Sequence, residues 1–244
     1  MLNHLNKKQG NFQLLRCNKR KRIALQVKDN QVIVKAPYAV PIAYIENLVW
    51  QKRNWIEKVL IEQQQAQHLQ NKLHDNGQLW LFGELIPISV QVGEKANVNY
   101  EQRRLVITLC LPKNNISPVD NLTRIKKAIE QWLKQQAELI LSEKIAVYSQ
   151  QMSMYPSSLA IRQYKARWGS CDNTGQIKLN YLLMMLPHWV IDYVVVHELC
   201  HLKHLNHSRE FWQLVGEYQP DYMLAKKWLR DHQHSLVWPK ISHT

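Results

Sequence analysis

Residues 193–201, with the sequence YVVVHELCH, combine an apolar run with an H-E-x-x-H pattern. Residues four apart on an α-helix lie one turn apart on the same face, so a helix here would place His197 beside His201. Two imidazoles in this arrangement can bind one metal ion. Burying them on an apolar helix without a partner would be costly, and a metal ion provides that partner. The pattern therefore predicts that His197 and His201 are metal ligands.

A third ligand is needed, and two histidines follow the pattern closely. His204 lies three residues after His201 and would stay near the same face if the helix continued. His207 lies six residues after His201, which is the third-ligand offset of the pattern H-E-x-x-H-x-x-G-x-x-H. Since His204 occupies the glycine position of that pattern, another break in the helix is required, and Asn206 is predicted to provide it in the left-handed region. The spacing favours His207 and leaves His204 as the alternative.

Glu198 is offset by roughly 100° from His197 around the helix axis, so it is not expected to be a ligand. Its carboxylate can instead reach a water molecule at an open coordination position, which is the arrangement that metal-assisted hydrolysis requires. The sequence therefore predicts a zinc-dependent hydrolase in which Glu198 is the catalytic general base. Three imidazoles also accept manganese, iron or cobalt.

The positive charge of the chain is concentrated near its N-terminus. The formal net charge is +13, and residues 1–60 hold 12 Lys or Arg against 3 Asp or Glu, including the run KRKR at 19–22. Such a run can form a patch for a nucleotide or nucleic acid. The alternative is a solvated strand edge. This second interpretation is favoured, because a basic run alone is a weak indication of nucleic-acid binding.

The sequence predicts a cytoplasmic protein that does not interact with a membrane. Its first residues contain no apolar run typical of a signal peptide, and no stretch approaches the roughly 18 uninterrupted apolar residues of a membrane span. The 4 cysteines, Cys17, Cys110, Cys171 and Cys200, are scattered and form no CxxC pair, so free thiols are expected.

Hydrophobic periodicity predicts an α+β fold with two domains. Residues 1–115 are expected to form a strand-rich domain with one amphipathic helix. It would contain a hairpin over 21–36 that turns at Asp29-Asn30, a helix beginning after Pro41, and strands within 78–111.

Residues 116–244 are expected to form the metallohydrolase domain. The predicted elements are a helix over 120–150 capped by Asp120, strands at 158–164 and 176–180 separated by turn formers at 167–175, a helix starting at Pro187, a helix capped by Ser208, and a last helix from Pro220-Asp221.

Several strings besides the H-E-x-x-H pattern resemble the YgjP-like metallopeptidases, which are relatives of the SprT-like group within the zincins. They are RWGSC at 167–171, LN at 179–180, DYVVVHELCHL at 192–202, NHS at 206–208 and FW at 211–212. The early segments Arg22-Ile23, Val34-Lys35-Ala36-Pro37 and Trp55-Ile56 resemble the same family.

The resemblance implies a strand-rich N-terminal part followed by a zincin-like domain, with His197, His201 and His207 as zinc ligands and Glu198 as the catalytic residue. It also implies a strand beside the active-site helix, for which residues 177–180 fit, and whose edge could pair with a peptide substrate. A peptidase acting on a peptide or protein is the first expectation. The alternatives are a UTP pyrophosphatase, since one relative has that description, and a DNA-associated SprT-like protease.

Overall fold

The structure is a computed structural model that describes residues 12–18, 20–28, 30–67, 72–110, 118–164 and 167–239. These residues form a mixed α+β fold with three sheets and six α-helices. The chain divides into two compact units, Met1–Leu69 and Gln70–Thr244. We refer to them as the N-terminal unit and the C-terminal unit.

The division after Leu69 differs from the predicted boundary at residue 115, which itself lies outside the described residues. The physical reason is a shared hydrophobic core. Leu79, Ile107 and Ile129 are completely buried in the same cluster, although the first two precede residue 115 and the third follows it. The strands between 78 and 109 therefore share one core with the later helices.

The N-terminal unit contains a three-stranded sheet and two helices. Its elements are β1 (Phe12–Arg16), β2 (Ala24–Lys28), β3 (Gln31–Ala36), α1 (Ile42–Gln51) and α2 (Arg53–Gln67). β3 is central, antiparallel to β2 and parallel to β1. The β2–β3 pair confirms the predicted hairpin; Asn30 adopts a φ of 58° in its turn, and Asp29 lies outside the described residues. The helix predicted after Pro41 is interrupted at Lys52, and β1 was not predicted.

A four-stranded sheet begins the C-terminal unit, and the longest helix of the described chain follows it. The elements are β4 (Gln78–Leu81), β5 (Glu84–Val92), β6 (Asn97–Glu101), β7 (Arg104–Leu109) and α3 (Pro118–Met152), with strand order β4-β5-β7-β6. α3 buries one stripe at every fourth residue, which is why an amphipathic pattern predicted it. The stripe consists of Ile125, Ile129, Leu133, Ala137, Leu141 and Ile145. Asp120 lies within the first turn of α3 and is not its N-cap.

A second, smaller sheet lies in the C-terminal unit. It consists of β8 (Ser158–Arg162), β9 (Gly169–Cys171) and β10 (Gln176–Asn180) in the order β8-β10-β9. β9 was predicted as part of a turn-rich loop, so this part of the sequence prediction is wrong. The expected use of the β10 edge for a peptide is also wrong, because β10 is paired on both sides and β9 is at the edge.

Three further helices complete the C-terminal unit, namely α4 (His188–Cys200), α5 (Arg209–Tyr218) and α6 (Tyr222–His232). α4 follows a 3-10 helix (Tyr181–Met185), and its N-cap is Pro187, where the sequence predicted the start of a helix. It is buried on nearly all sides, with Val190, Ile191, Val195, Val196 and Leu199 completely buried. α5 begins at Ser208, whose side chain accepts a hydrogen bond from the Phe211 backbone N–H at 3.4 Å. This confirms the predicted cap.

We expect Gly83→Ala to destabilise the C-terminal unit. Gly83 has a φ of +85°, and a Cβ there would lie 2.4 Å from Cγ of Pro187, the residue at which α4 begins. Left-handed strain and a steric clash each cost about 1–3 kcal/mol. Gly216→Ala is the matched control, because its Cβ would meet nothing nearer than 3.7 Å. In a helix that change stabilises by about 0.5–1 kcal/mol. Urea unfolding measures both, and equal midpoints would contradict this account.

Candidate metal centre

α4 delivers two of the predicted ligands at its C-terminal end. His197 lies in its last turn, and His201 is the C-cap residue with still helical φ and ψ of −67° and −18°. Because the helical geometry continues through His201, the two imidazoles share one face, and their ring centroids lie 4.9 Å apart. The predicted pairing of these side chains is therefore present.

The chain turns back immediately after His201 and brings His207 to the pair. Two successive backbone N–H groups, those of Lys203 and His204, donate to the Cys200 carbonyl at 3.1 and 3.0 Å and close the end of α4. His207 Nε2 then lies 3.1 Å from His197 Nε2. Asn206 is not among the residues with positive φ, so the predicted left-handed break is wrong. The turn depends on backbone hydrogen bonds instead.

His204, the alternative ligand, has a different role. Its backbone carbonyl lies 2.9 Å from His201 Nδ1, a distance at which Nδ1–H donates to it. This bond leaves the lone pair of His201 on Nε2, since a neutral imidazole carries one proton. The structure thus brings together His197, His201 and His207, and it uses the backbone of His204 to orient one of them.

The three imidazoles fit a tetrahedral metal ion. Their ligand atoms lie within 4.8 Å of one another. A tetrahedral ion with bonds of about 2.0–2.1 Å would hold two nitrogens about 3.3 Å apart, close to the observed separation of His197 and His207. Burial, together with the nearby His201, His207 and Lys226, lowers the pKa of His197 to about 3. This imidazole is therefore neutral at physiological pH, which is the form that binds a metal.

Glu198 is buried beside this cluster without being part of it. Its side chain is only 5% exposed, and its Oε2 atom has no hydrogen-bond partner among the described residues. Burial raises the pKa of Glu198 to about 8, and the positive charge of Arg167 acts in the opposite direction. A buried carboxyl with an unpartnered oxygen is costly in a structural role, and a cation in front of it would offset that cost. The donor set and this carboxyl together fit a metal centre.

Gly169 on β9 contacts Glu198 directly. A Cβ at Gly169 would lie 2.6 Å from Glu198 Oε1 and 2.9 Å from Cδ. The absence of a side chain therefore allows β9 to approach α4.

Two aromatic side chains, Phe211 and Trp212, lie against the imidazoles, and the sequence predicted no role for either of them. The Phe211 ring lies 5.0, 4.6 and 4.8 Å from the rings of His197, His201 and His207. Trp212 stacks on His207 with ring centroids 5.6 Å apart. Phe211 and Trp212 lie at the start of α5, directly after the Ser208 cap. Their spacing from that cap is the sequence feature that could have predicted their position beside His207.

Comparison with known proteins gives one family match. The family model described as YgjP-like, metallopeptidase domain, matches residues 21–232. A comparison with curated proteins found no match. A solved structure, the crystal structure of the metallopeptidase zymogen of Pyrococcus abyssi abylysin, is 21% identical with a TM-score of 0.33, and the match covers 40% of this chain and 99% of that chain. Within the described residues, no helix has the length and apolarity needed to cross a membrane.

We expect His207→Ala to abolish tight metal binding and His204→Ala to leave it nearly unchanged. The first change removes an imidazole from the cluster, whereas the second retains the backbone carbonyl that accepts from His201. Loss of a residue that only hydrogen-bonds a metal ligand typically lowers metal affinity by about 10–100-fold, and loss of one of three ligands should lower it by at least as much. Metal analysis after dialysis against a competing chelator measures this. If His204→Ala lost the metal and His207→Ala retained it, the ligand set would be wrong.

Proposed function

The chain belongs to the YgjP-like metallopeptidase family, and on that premise we propose that it is a zinc-dependent peptidase with Glu198 as its general base. Convergence of His197, His201 and His207 beside a buried carboxyl is the observation that carries this proposal. His197, His201 and His207 would hold the zinc ion through Nε2, with a fourth position left for water or substrate. When bound, the ion acts as a Lewis acid and lowers the pKa of a water ligand from 15.7 toward about 7.

Glu198 supplies the proton transfer in this proposal. A general base is most effective when its pKa lies near the working pH, and burial moves the pKa of Glu198 upward into that region. Glu198 would accept a proton from the attacking water at a carboxylate oxygen. It would then deliver that proton to the nitrogen of the departing amine. Gly169, packed against Glu198, restricts the positions that this side chain can occupy.

β9 supplies a binding edge for an extended peptide. In the antiparallel β9–β10 pair, Trp168, Ser170 and Asp172 direct their backbone groups toward β10, as the bond from Asn180 N–H to the Trp168 carbonyl at 2.8 Å indicates. Alternation along a strand then directs the N–H and C=O groups of Gly169 and Cys171 away from β10. A peptide that pairs with these groups of Gly169 and Cys171 would lie alongside Glu198, because Gly169 contacts that carboxyl. This position favours a peptidase over other hydrolases.

The sequence-based alternatives, a nucleotide pyrophosphatase and a DNA-associated protease, remain predictions that rest on basic residues of the N-terminal unit. Of the run at 19–22, Lys19 lies outside the described residues, and Arg20, Lys21 and Arg22 are exposed. Exposed cations can bind phosphates, but they are also commonly solvated. An assay of pyrophosphate release from UTP, run beside the peptide assay, separates the pyrophosphatase from the peptidase.

Glu198→Gln should lower the rate of peptide cleavage by about 10²–10⁴-fold, the usual contribution of a general base. The three imidazoles are untouched, so one zinc per chain should remain bound. Turnover of a peptide library and metal content measured on the same preparation test both parts. Glu143→Gln, on the exposed face of α3, is the matched control. Peptide cleavage by Glu198→Gln at the wild-type rate would remove Glu198 from the mechanism.

Gly169→Ala should reduce activity without loss of metal. Its Cβ would overlap the Glu198 carboxyl, with Oε1 at 2.6 Å, so the carboxyl must move. Misplacing a catalytic group by about 1 Å can cost about 10²-fold. Because the effect acts through Glu198, the double variant with Glu198→Gln should be no slower than Glu198→Gln alone. Gly216→Ala controls for the added methyl group, and additive losses in the double variant would show that Gly169 acts independently.

A further inference from the structure

α6 places a lysine against the aromatic residues that border the metal centre. Lys226 Nζ lies 3.8 Å from the ring centroid of Trp212 and 5.9 Å from that of Tyr222. Trp212 itself stacks on Tyr222 at 5.4 Å and on His207 at 5.6 Å. The ammonium group therefore contacts the same ring that stacks on His207, and a cation–π contact restrains it there.

The charge of Lys226 is not neutralised by a carboxylate in the described part of the chain. The neighbouring Lys227, in contrast, pairs with Asp231 at 3.5 Å, one helical turn further along α6. Both side chains are exposed. Lys227 therefore has a carboxylate partner, whereas Lys226 has ring contacts and no ion pair among the described residues.

A second cation lies on the Glu198 side of the centre. Arg167 is exposed, close enough for its charge to act on Glu198, and faces the Tyr164 ring at 5.5 Å. The three ligands are imidazoles, which bind a metal ion in their neutral form and leave its positive charge uncompensated. Lys226 and Arg167 are close enough for their charges to act on His197 and Glu198, so two cations border the centre and can attract an anionic group of the substrate.

We propose that Lys226 binds a carboxylate of the peptide substrate next to the scissile bond. The enzyme then prefers peptides that carry a free α-carboxylate or an acidic side chain at that position. Lys226 is the better placed of the two cations, since its ammonium group lies over Trp212, the ring that stacks on His207. This assignment of the substrate class rests on the proposed peptidase activity, and it makes Lys226 a specificity-determining residue.

The test is a binding measurement on the full-length, zinc-loaded protein that does not require turnover. Isothermal titration calorimetry would compare three N-acetylated dipeptides of matched length. One has a free α-carboxylate, one has a C-terminal amide and neutral side chains, and one has a C-terminal amide with a glutamate side chain. The variants are Lys226→Gln and, as the matched control, Lys227→Gln. Because both lysines are exposed, both variants should fold.

The wild-type protein should bind at least one carboxylate form about tenfold more tightly than the neutral amide, the effect of one charge-assisted hydrogen bond. Lys226→Gln should lose this preference and Lys227→Gln should keep it. The two carboxylate forms distinguish a chain terminus from an acidic side chain. Equal binding of all three peptides, absence of binding, or a preference that survives in Lys226→Gln would overturn the assignment.

A peptide cleavage assay on the same samples separates this assignment from the proposed function. Carboxylate-selective binding that depends on Lys226, without peptide cleavage, would refute the peptidase and leave the anion site intact. Cleavage of acidic and neutral peptides at equal efficiency would support the peptidase and refute the role of Lys226. A change in kcat/KM confined to carboxylate substrates in Lys226→Gln is the result expected if both are correct.

Discussion

The candidate metal centre depends on the way in which α4 ends. Had the helix continued past His201, His204 would have stayed near the ligand face and His207 would have been carried away from it. The Cys200 carbonyl instead accepts two backbone N–H groups, and the His204 carbonyl lies at hydrogen-bonding distance from His201 Nδ1. The same turn therefore directs the chain back toward α4 and sets the tautomer of a ligand. A backbone contact of this kind can tolerate many side chains at position 204, because only the carbonyl is used.

Burial of the Glu198 carboxyl is the second constraint, and it connects two elements. Glu198 extends from a helix that is buried on nearly all sides, and the glycine of β9 is pressed against it. A buried carboxyl with an unpartnered oxygen does not contribute favourably to folding, because desolvation disfavours its charged form. A cation held by the neighbouring imidazoles would favour that charged form and act against the effect of burial. Metal binding and the ionisation of Glu198 should therefore be coupled.

The sequence was most informative where a short local pattern determines geometry. The spacing from His197 to His201 is read directly from helical periodicity, and Ser208 marked the start of α5 through its capping side chain. Prediction failed where the residue types of a segment do not indicate the tertiary contact that shapes it. β9 consists of turn-forming residues, and it becomes a strand only through pairing with β10 and contact with Glu198. The division after Leu69 likewise follows from tertiary packing, which no local pattern reports.

The choice of neutral ligands has a consequence for specificity. A carboxylate among the ligands would cancel part of the charge of a divalent ion, whereas three imidazoles cancel none of it. Arg167 and Lys226 add to the same positive field rather than oppose it. Glu198 can compensate part of this charge, and a substrate carboxylate would compensate a further part as it binds. Since Trp212 already restrains Lys226, little side-chain entropy is lost in that step, and the position of the ammonium group would determine which side of the scissile bond carries the acid.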